Sequence, residues 1–184
     1  MKEIVFLVEE PSMKELLKAI LPKVIPDNVS YTIIHHEGKQ DLEKSIPKKL
    51  CAFRQPETRF VVLIDQDSND CIVLKKRLLE LCQVGGRENC LVRIVCHELE
   101  SWFLGDLAAV GKAYNQTSLA RRQREAKYRQ PDRLSNPAQV LKLLVPEYQK
   151  ISGARAVSNY MKLSENESHS FAVFLKGLQK VIGD

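Results

Sequence analysis

The sequence predicts an α/β protein: a parallel sheet covered by helices, followed by a helical second half. Three observations carry that prediction. Four short apolar, β-rich runs alternate with helical patterns along the first hundred residues. Each strand–helix unit takes roughly 30 residues, the length of a right-handed βαβ crossover. The runs are near-continuously apolar rather than alternating, as strands buried on both faces are.

The first run, 3–8 (EIVFLV), reads as a buried strand. Glu9-Glu10-Pro11-Ser12 follows, and Ser12 can cap a helix with Met13, Leu16, Leu17 and Ile20 on its apolar face, ended by Pro22 and Pro26. The second strand is 29–35 (VSYTIIH), closed by the turn His36-Glu37-Gly38-Lys39. A helix spans 41–53, with Pro47 a point of possible kinking. The third strand, 59–64 (RFVVLI), runs into the polar turn 65–70 (DQDSND). An amphipathic helix at 71–82 and the Gly85-Gly86 loop lead to the fourth strand, 91–96 (LVRIVC). Beyond it the spacing predicts helices over 98–113, 117–129, 136–146, 152–161 and 168–182, with Ser168 and Ser170 as N-cap candidates for the last. The segment 130–137 (QPDRLSNP) is too short to separate independent domains. The expectation is one domain over 1–184, an α/β core at 1–106 with a helical extension at 107–184.

Composition narrows the function classes. No apolar run reaches 18 residues, so no membrane span is expected. Acids follow Val8 at once and no small-residue cleavage site appears, so the N-terminus reads as a strand rather than a signal peptide. The five cysteines show no CxxC pair and no zinc-ligand spacing, which fits reduced thiols in a cytoplasmic protein. A P-loop, a GxGxxG fingerprint and a nucleophile elbow are all missing, which disfavours an ATPase, a dehydrogenase and an α/β-hydrolase. DQDSND opens like an EF-hand loop, but Asp70 stands where glycine is needed and no bidentate glutamate follows.

Open α/β sheets bind ligands beyond the carboxyl ends of their strands. There the sequence places Glu9-Glu10 after the first strand, His36, Gly38 and Lys39 after the second, and Asp65, Asp67 and Asp70 after the third. His97, Glu98 and Glu100 follow the fourth. Magnesium takes hard oxygen ligands, one or two of them carboxylates, and completes its octahedron with water and phosphate oxygens. An Asp-x-Asp pair leaving a strand, with a glutamate on a neighbouring strand, suits that chemistry and two-metal phosphodiester displacement. The bland alternative is that each acid caps the helix after it. His36 is a candidate base or ligand; Trp102 is most simply a core anchor, with base stacking as its alternative.

These pieces resemble a family. A glutamate closing the first strand, followed by a strand ending in Asp-x-Asp, resembles the Toprim fold, the magnesium-binding domain of topoisomerases, primases and OLD-type nucleases. More closely, 8–17 (VEEPSMKELL), 35–46 (HHEGKQDLEKSI), 61–71 (VVLIDQDSNDC), 97–106 (HELESWFLGD) and the tail 134–178 resemble small bacterial Toprim-like proteins related to OLD and RloB. These are often encoded beside an AAA-type ATPase in operons of anti-phage character. The resemblance implies a three-layer, Rossmann-like Toprim domain with a helical C-terminal half. It implies Mg²⁺ or Mn²⁺ held by Glu9, Asp65, Asp67 and Glu100, with Lys39 steadying phosphate. It ranks Glu9 over Glu10 and Glu100 over Glu98. The implied activity is a metal-dependent nuclease or related phosphoryl transfer on DNA or RNA; the alternative is a non-catalytic regulatory subunit of a partner AAA ATPase.

Charge distribution adds a second surface. Net charge is +5, and residues 121–133 alone hold six Lys or Arg against two acids. Arg121, Arg122, Arg124, Lys127 and Arg129 are therefore candidate phosphate contacts, or a solvated helix face. Lys150 and Arg155, in the matched tail, are candidates to reach the acidic edge from the helical half.

Overall fold

The structure, a computed structural model, describes residues 2–183. Strands β1 (Glu3–Val8), β2 (Ser30–His35), β3 (Arg59–Asp65) and β4 (Leu91–Val95) form one all-parallel sheet in the order β2-β1-β3-β4. Helices α1 (Pro11–Ile20), α2 (Lys39–Ala52) and α3 (Cys71–Val84) make the crossovers. The register pairs Val8 with both His35 and Leu63, and Asp65 with Val95, so β1 ends level with β2, and β3 and β4 end level with each other two residues further on.

Side-chain alternation along the strands assigns the two faces. Val5, Leu7, Phe60, Val62, Ile64 and Val92 pack against Leu42, Ile46 and Leu50 of α2 and Leu74, Leu78 and Cys82 of α3. Ile4, Phe6, Val8, Val61, Leu63 and Val95 pack on the other side, in an apolar layer that runs through α1 and on to Leu178. That layer holds α4 (Glu100–Leu104), α5 (Leu107–Ala113), α7 (Pro137–Leu144), α8 (Lys150–Ser158) and α9 (His169–Gly183). The result is the expected three-layer α/β, Toprim-like architecture with a helical C-terminal half. No helix among the described residues is long and apolar enough to cross a membrane.

Two expected helices are corrected. The segment 98–113 is two helices, because Asp106 caps α5 by accepting from the Ala109 N–H at 2.9 Å. The same carboxylate accepts from the Lys162 N–H at 2.8 Å, so the break is tied to the chain beyond α8. The segment 117–129 is only the short α6 (Leu119–Arg122) and a 3₁₀ turn, Ala126–Tyr128. Leu119 and Tyr128 are its buried apolar residues, too few for a helical stripe. It wraps instead around Gln123, whose amide donates to the carbonyls of Leu104 and Tyr128 and accepts from the Leu107 N–H.

Smaller expectations resolve likewise. Helix α1 starts at Pro11, a good first-turn residue, so Ser12 is not its cap; its hydroxyl donates to Glu10 at 3.2 Å. Pro47 lies inside a continuous α2. Ser168 does cap α9, accepting from the Phe171 N–H at 3.1 Å. All five cysteines are free thiols.

Candidate metal centre

Backbone hydrogen bonds carry the sheet ladder past the strand ends and fix the loops of the carboxyl edge. The Glu9 N–H donates to the Leu63 carbonyl, Gly38 to Glu9, Gln66 to Val95 and Asp67 to His97, at 2.8 to 3.2 Å. Gly38 sits at φ +103°, a conformation glycine adopts without strain, and it opens α2 directly beside Glu9.

Three carboxylates are buried at this edge: Glu9, Asp65 and Glu100, with 5%, 2% and 1% of their surface exposed. Glu9 accepts from the backbone N–H of Asp65 at 2.9 Å, joining the ends of β1 and β3. Glu100 accepts from the Tyr148 hydroxyl at 2.9 Å through Oε1. Asp65 Oδ1 and Glu100 Oε2 are buried and have no hydrogen-bond partner. Burial, then the charges of Glu9 and Glu100, hold the Asp65 carboxyl well above its ordinary range, against the pull of Lys150. Burial also raises Glu9, opposed by the Asp65 N–H and Lys39, and raises Glu100, opposed by the Tyr148 hydroxyl. Asp65 thus feels the charges of both other buried acids.

The Asp-x-Asp pair divides. Asp65 continues the alternation of Val61 and Leu63 and so belongs to the face covered by the helical half. Asp67 breaks that alternation with a left-handed backbone, φ +52°, and its half-exposed carboxylate pairs with Lys39 at 2.8 Å. Lys39, expected to meet phosphate, is thus engaged by Asp67. Among the described residues no three His, Cys, Asp or Glu side chains converge into a ready-made metal cage.

The neighbouring acids resolve as caps and pairs. Asp70 caps α3, accepting from the N–H groups of Ile72 and Val73 at 2.9 Å each. Glu98 accepts from the Ala138 N–H at the start of α7. Glu10 pairs with Lys150 at 2.6 Å, so Lys150 does reach this edge from α8, and burial of its ammonium is outweighed by Glu10, Glu100 and Asp65. Arg155 instead pairs with Glu15 on α1 at 2.6 Å. His36 uses both ring nitrogens internally, Nδ1 on the Val8 carbonyl and Nε2 with the Ser45 hydroxyl, which removes it as a base or ligand. Trp102 is fully buried and donates to Ser170, which settles it as a core anchor rather than a stacking platform. Sequence reasoning missed Tyr148; its position two residues before Lys150 is the one signal that could have found it.

The basic segment is exposed at Arg121, Arg124, Lys127 and Arg129. Arg122 is tied to Glu125 at 2.7 Å, and Arg122 and Lys127 both lie over the Tyr128 ring. Asp132 anchors its end, accepting from Ser168 and from the Ser170 N–H.

A family of domains described as of unknown function (DUF4276) matches residues 8–179. The chain belongs to this family. No curated protein matches the sequence. Among solved structures, the C-terminal region of the Burkholderia pseudomallei OLD protein is similar with a TM-score of 0.61 at 17% identity, covering 97% of this chain and 96% of that one. At that identity the likeness establishes the fold. The DUF4276 chain therefore shares the Toprim-like α/β architecture of the OLD C-terminal region over nearly its whole length.

A divalent cation fits the residues of the DUF4276 carboxyl edge. The donors are hard carboxylate oxygens, and two of them are buried without a hydrogen-bond donor. Magnesium needs only one or two protein carboxylates, so the lack of a three-acid cage does not exclude it.

Proposed function

We propose that the chain is a Mg²⁺- or Mn²⁺-dependent enzyme that cleaves phosphodiester bonds in nucleic acid at the carboxyl edge of its sheet. The observation that carries this reading is the pair of buried, unpartnered carboxylate oxygens on Asp65 and Glu100. Burying such groups without a partner costs roughly 1–3 kcal/mol each, and more when they are charged. A cation with its waters removes that cost.

Asp65 and Glu100 would hold the cation, with Glu9 as a further ligand or as base. A bound divalent ion would stabilise charge developing on phosphoryl oxygens and favour hydroxide over water. Burial raises the Glu9 carboxyl above an ordinary glutamate, the direction that makes a carboxylate a better proton acceptor. Lys39, at the start of α2, would exchange Asp67 for a phosphate oxygen. Arg121, Arg122, Arg124, Lys127 and Arg129 would add sequence-independent backbone contacts.

The test is cleavage of single- and double-stranded DNA and RNA with Mg²⁺ or Mn²⁺, with and without the AAA-type ATPase that the sequence resemblance implies. Metal-dependent cleavage abolished by both Asp65→Asn and Glu9→Gln is expected. Cleavage unchanged in both variants overturns the reading. The Lys39–Asp67 ion pair favours a second reading, a non-catalytic subunit acting through the ATPase, since it occupies two of the expected catalytic groups. That reading predicts stimulation of the ATPase by wild type and by Asp65→Asn alike, without cleavage.

A further inference from the structure

The helical half contributes one group directly to the buried acids. Tyr148 lies in the short connection between α7 and α8, 4% exposed, and its hydroxyl donates to Glu100 Oε1 at 2.9 Å. Its backbone carbonyl accepts from the Lys142 ammonium at 3.2 Å. Its ring lies against Gly153 of α8: a Cβ there would overlap ring carbons Cε2 and Cδ2 and approach the Tyr114 hydroxyl to 2.9 Å. The ring is therefore fixed by the backbone of the helix that follows it, and no side chain larger than hydrogen fits at 153.

We infer that Tyr148 is a positioning residue: it occupies Glu100 Oε1, sets the rotamer of that carboxylate, and leaves Oε2 as the oxygen offered to a divalent cation. The inference rests on the metal-binding reading above. A glutamate has two equivalent oxygens and three rotatable bonds, so a buried ligand without a fixed partner is poorly defined. One hydrogen bond removes that freedom at one oxygen, and the unpartnered Oε2 is what remains. Groups that orient a ligand carboxylate in this way typically carry 10- to 100-fold in metal affinity. The arrangement also gives the helical half a task at the site: the sheet supplies Glu9 and Asp65, while the turn before α8 fixes Glu100.

The experiment is isothermal titration of the full chain with Mn²⁺ and Mg²⁺, for wild type, Tyr148→Phe, Glu100→Gln and the double variant. Tyr148→Phe keeps the ring and deletes only the hydroxyl. The expected result is a loss of affinity of about tenfold or more in Tyr148→Phe. The double variant should be no worse than Glu100→Gln alone, because Tyr148 acts through Glu100. Gly153→Ala, which displaces the ring while keeping the hydroxyl, should reproduce the loss. Circular dichroism spectra overlaying the wild type keep these losses distinct from misfolding; for a variant that fails this check, the thermal shift produced by saturating Mn²⁺ in the other substitution decides. Wild-type affinity in Tyr148→Phe, or additive losses in the double variant, overturns the inference and leaves the metal site standing. No binding by wild type removes the metal site itself, and the inference with it.

Discussion

The chain has two charged regions of opposite sign, and they are built on opposite terms. At the carboxyl edge of the sheet, Glu9, Asp65 and Glu100 are almost wholly buried, and two of their oxygens have no donor. In the segment 121–133 the cations stand in solvent, and Arg122 and Lys127 share Glu125 and the Tyr128 ring. Exposed pairs of this kind add little to stability, and a surface cation is easily maintained. A buried carboxylate without a partner works against folding, and that is the cost the proposed cation would remove. The acidic edge is therefore the region built at a cost to folding, and the basic segment is a surface maintained at little cost.

The sharpest test of this difference is Asp65→Asn. In metal-free protein it should raise thermal stability, by about 1 kcal/mol, because it removes a carboxyl whose ionised form is disfavoured by burial and then by Glu9 and Glu100. In the same variant the stabilisation by Mg²⁺ or Mn²⁺ should vanish, and cation affinity should fall by at least about a hundredfold. Differential scanning calorimetry with and without metal reads both. A destabilised metal-free variant would make Asp65 a structural acid and collapse the contrast.

The basic segment should respond the other way. Reversing Arg121 and Arg124 to glutamate should weaken binding to single-stranded DNA about tenfold and flatten its salt dependence, as removing phosphate contacts does. The melting temperature should not change. Fluorescence anisotropy at two salt concentrations checks this, and unchanged affinity would reduce the segment to a solvated surface.

Asp70→Ala sharpens the comparison from within the acidic turn itself. Its carboxylate is a helix cap, so the expected cost is about 1 kcal/mol in urea unfolding. Metal affinity should be unaffected.

The smallest effect is with pH. Glu9, Asp65 and Glu100 all have raised folded-state values. The unfolded chain therefore ionises these groups first. Metal-free stability should fall as pH rises above the ordinary values of 3.8 for Asp and 4.5 for Glu, and level off once the folded-state groups ionise. Cation binding requires the ionised forms and should strengthen over the same interval. Thermal melts from pH 4 to pH 8, with and without Mg²⁺, should diverge as pH rises.

Much of this was legible in the sequence where local chemistry decides it. Strand ends at Val8 and Ile64, the latter one residue short of the observed end, followed from apolar runs meeting acids, and the parallel pairing of β1 with β3 then brought the Glu9 carboxylate to the Asp65 N–H. Asp67 was not legible, because its departure from strand alternation depends on a left-handed backbone and on Lys39 from another crossover. The helical half was read too simply for a similar reason. Arg and Gln favour helix in isolation, but Gln123 spends its amide on the carbonyls of Leu104 and Tyr128 and folds the segment back on itself. The Gly105-Asp106 break did carry a local signal, a helix stop followed by a cap. Tyr148 carried only its place two residues before Lys150, and nothing local pointed to Glu100, 48 residues away.

Trp102 is the chain's single tryptophan, and α9 encloses it: Ser170 accepts from its indole N–H at 2.8 Å, and Phe171 and Phe174 lie 4.9 and 5.3 Å from its ring. The molecule thus has a built-in optical gauge of whether its last helix is seated. Emission should be blue-shifted and shielded from iodide while α9 is docked. If that helix lifts before the sheet opens, a red shift will precede the loss of far-ultraviolet ellipticity, separating a local opening from global unfolding without any added label.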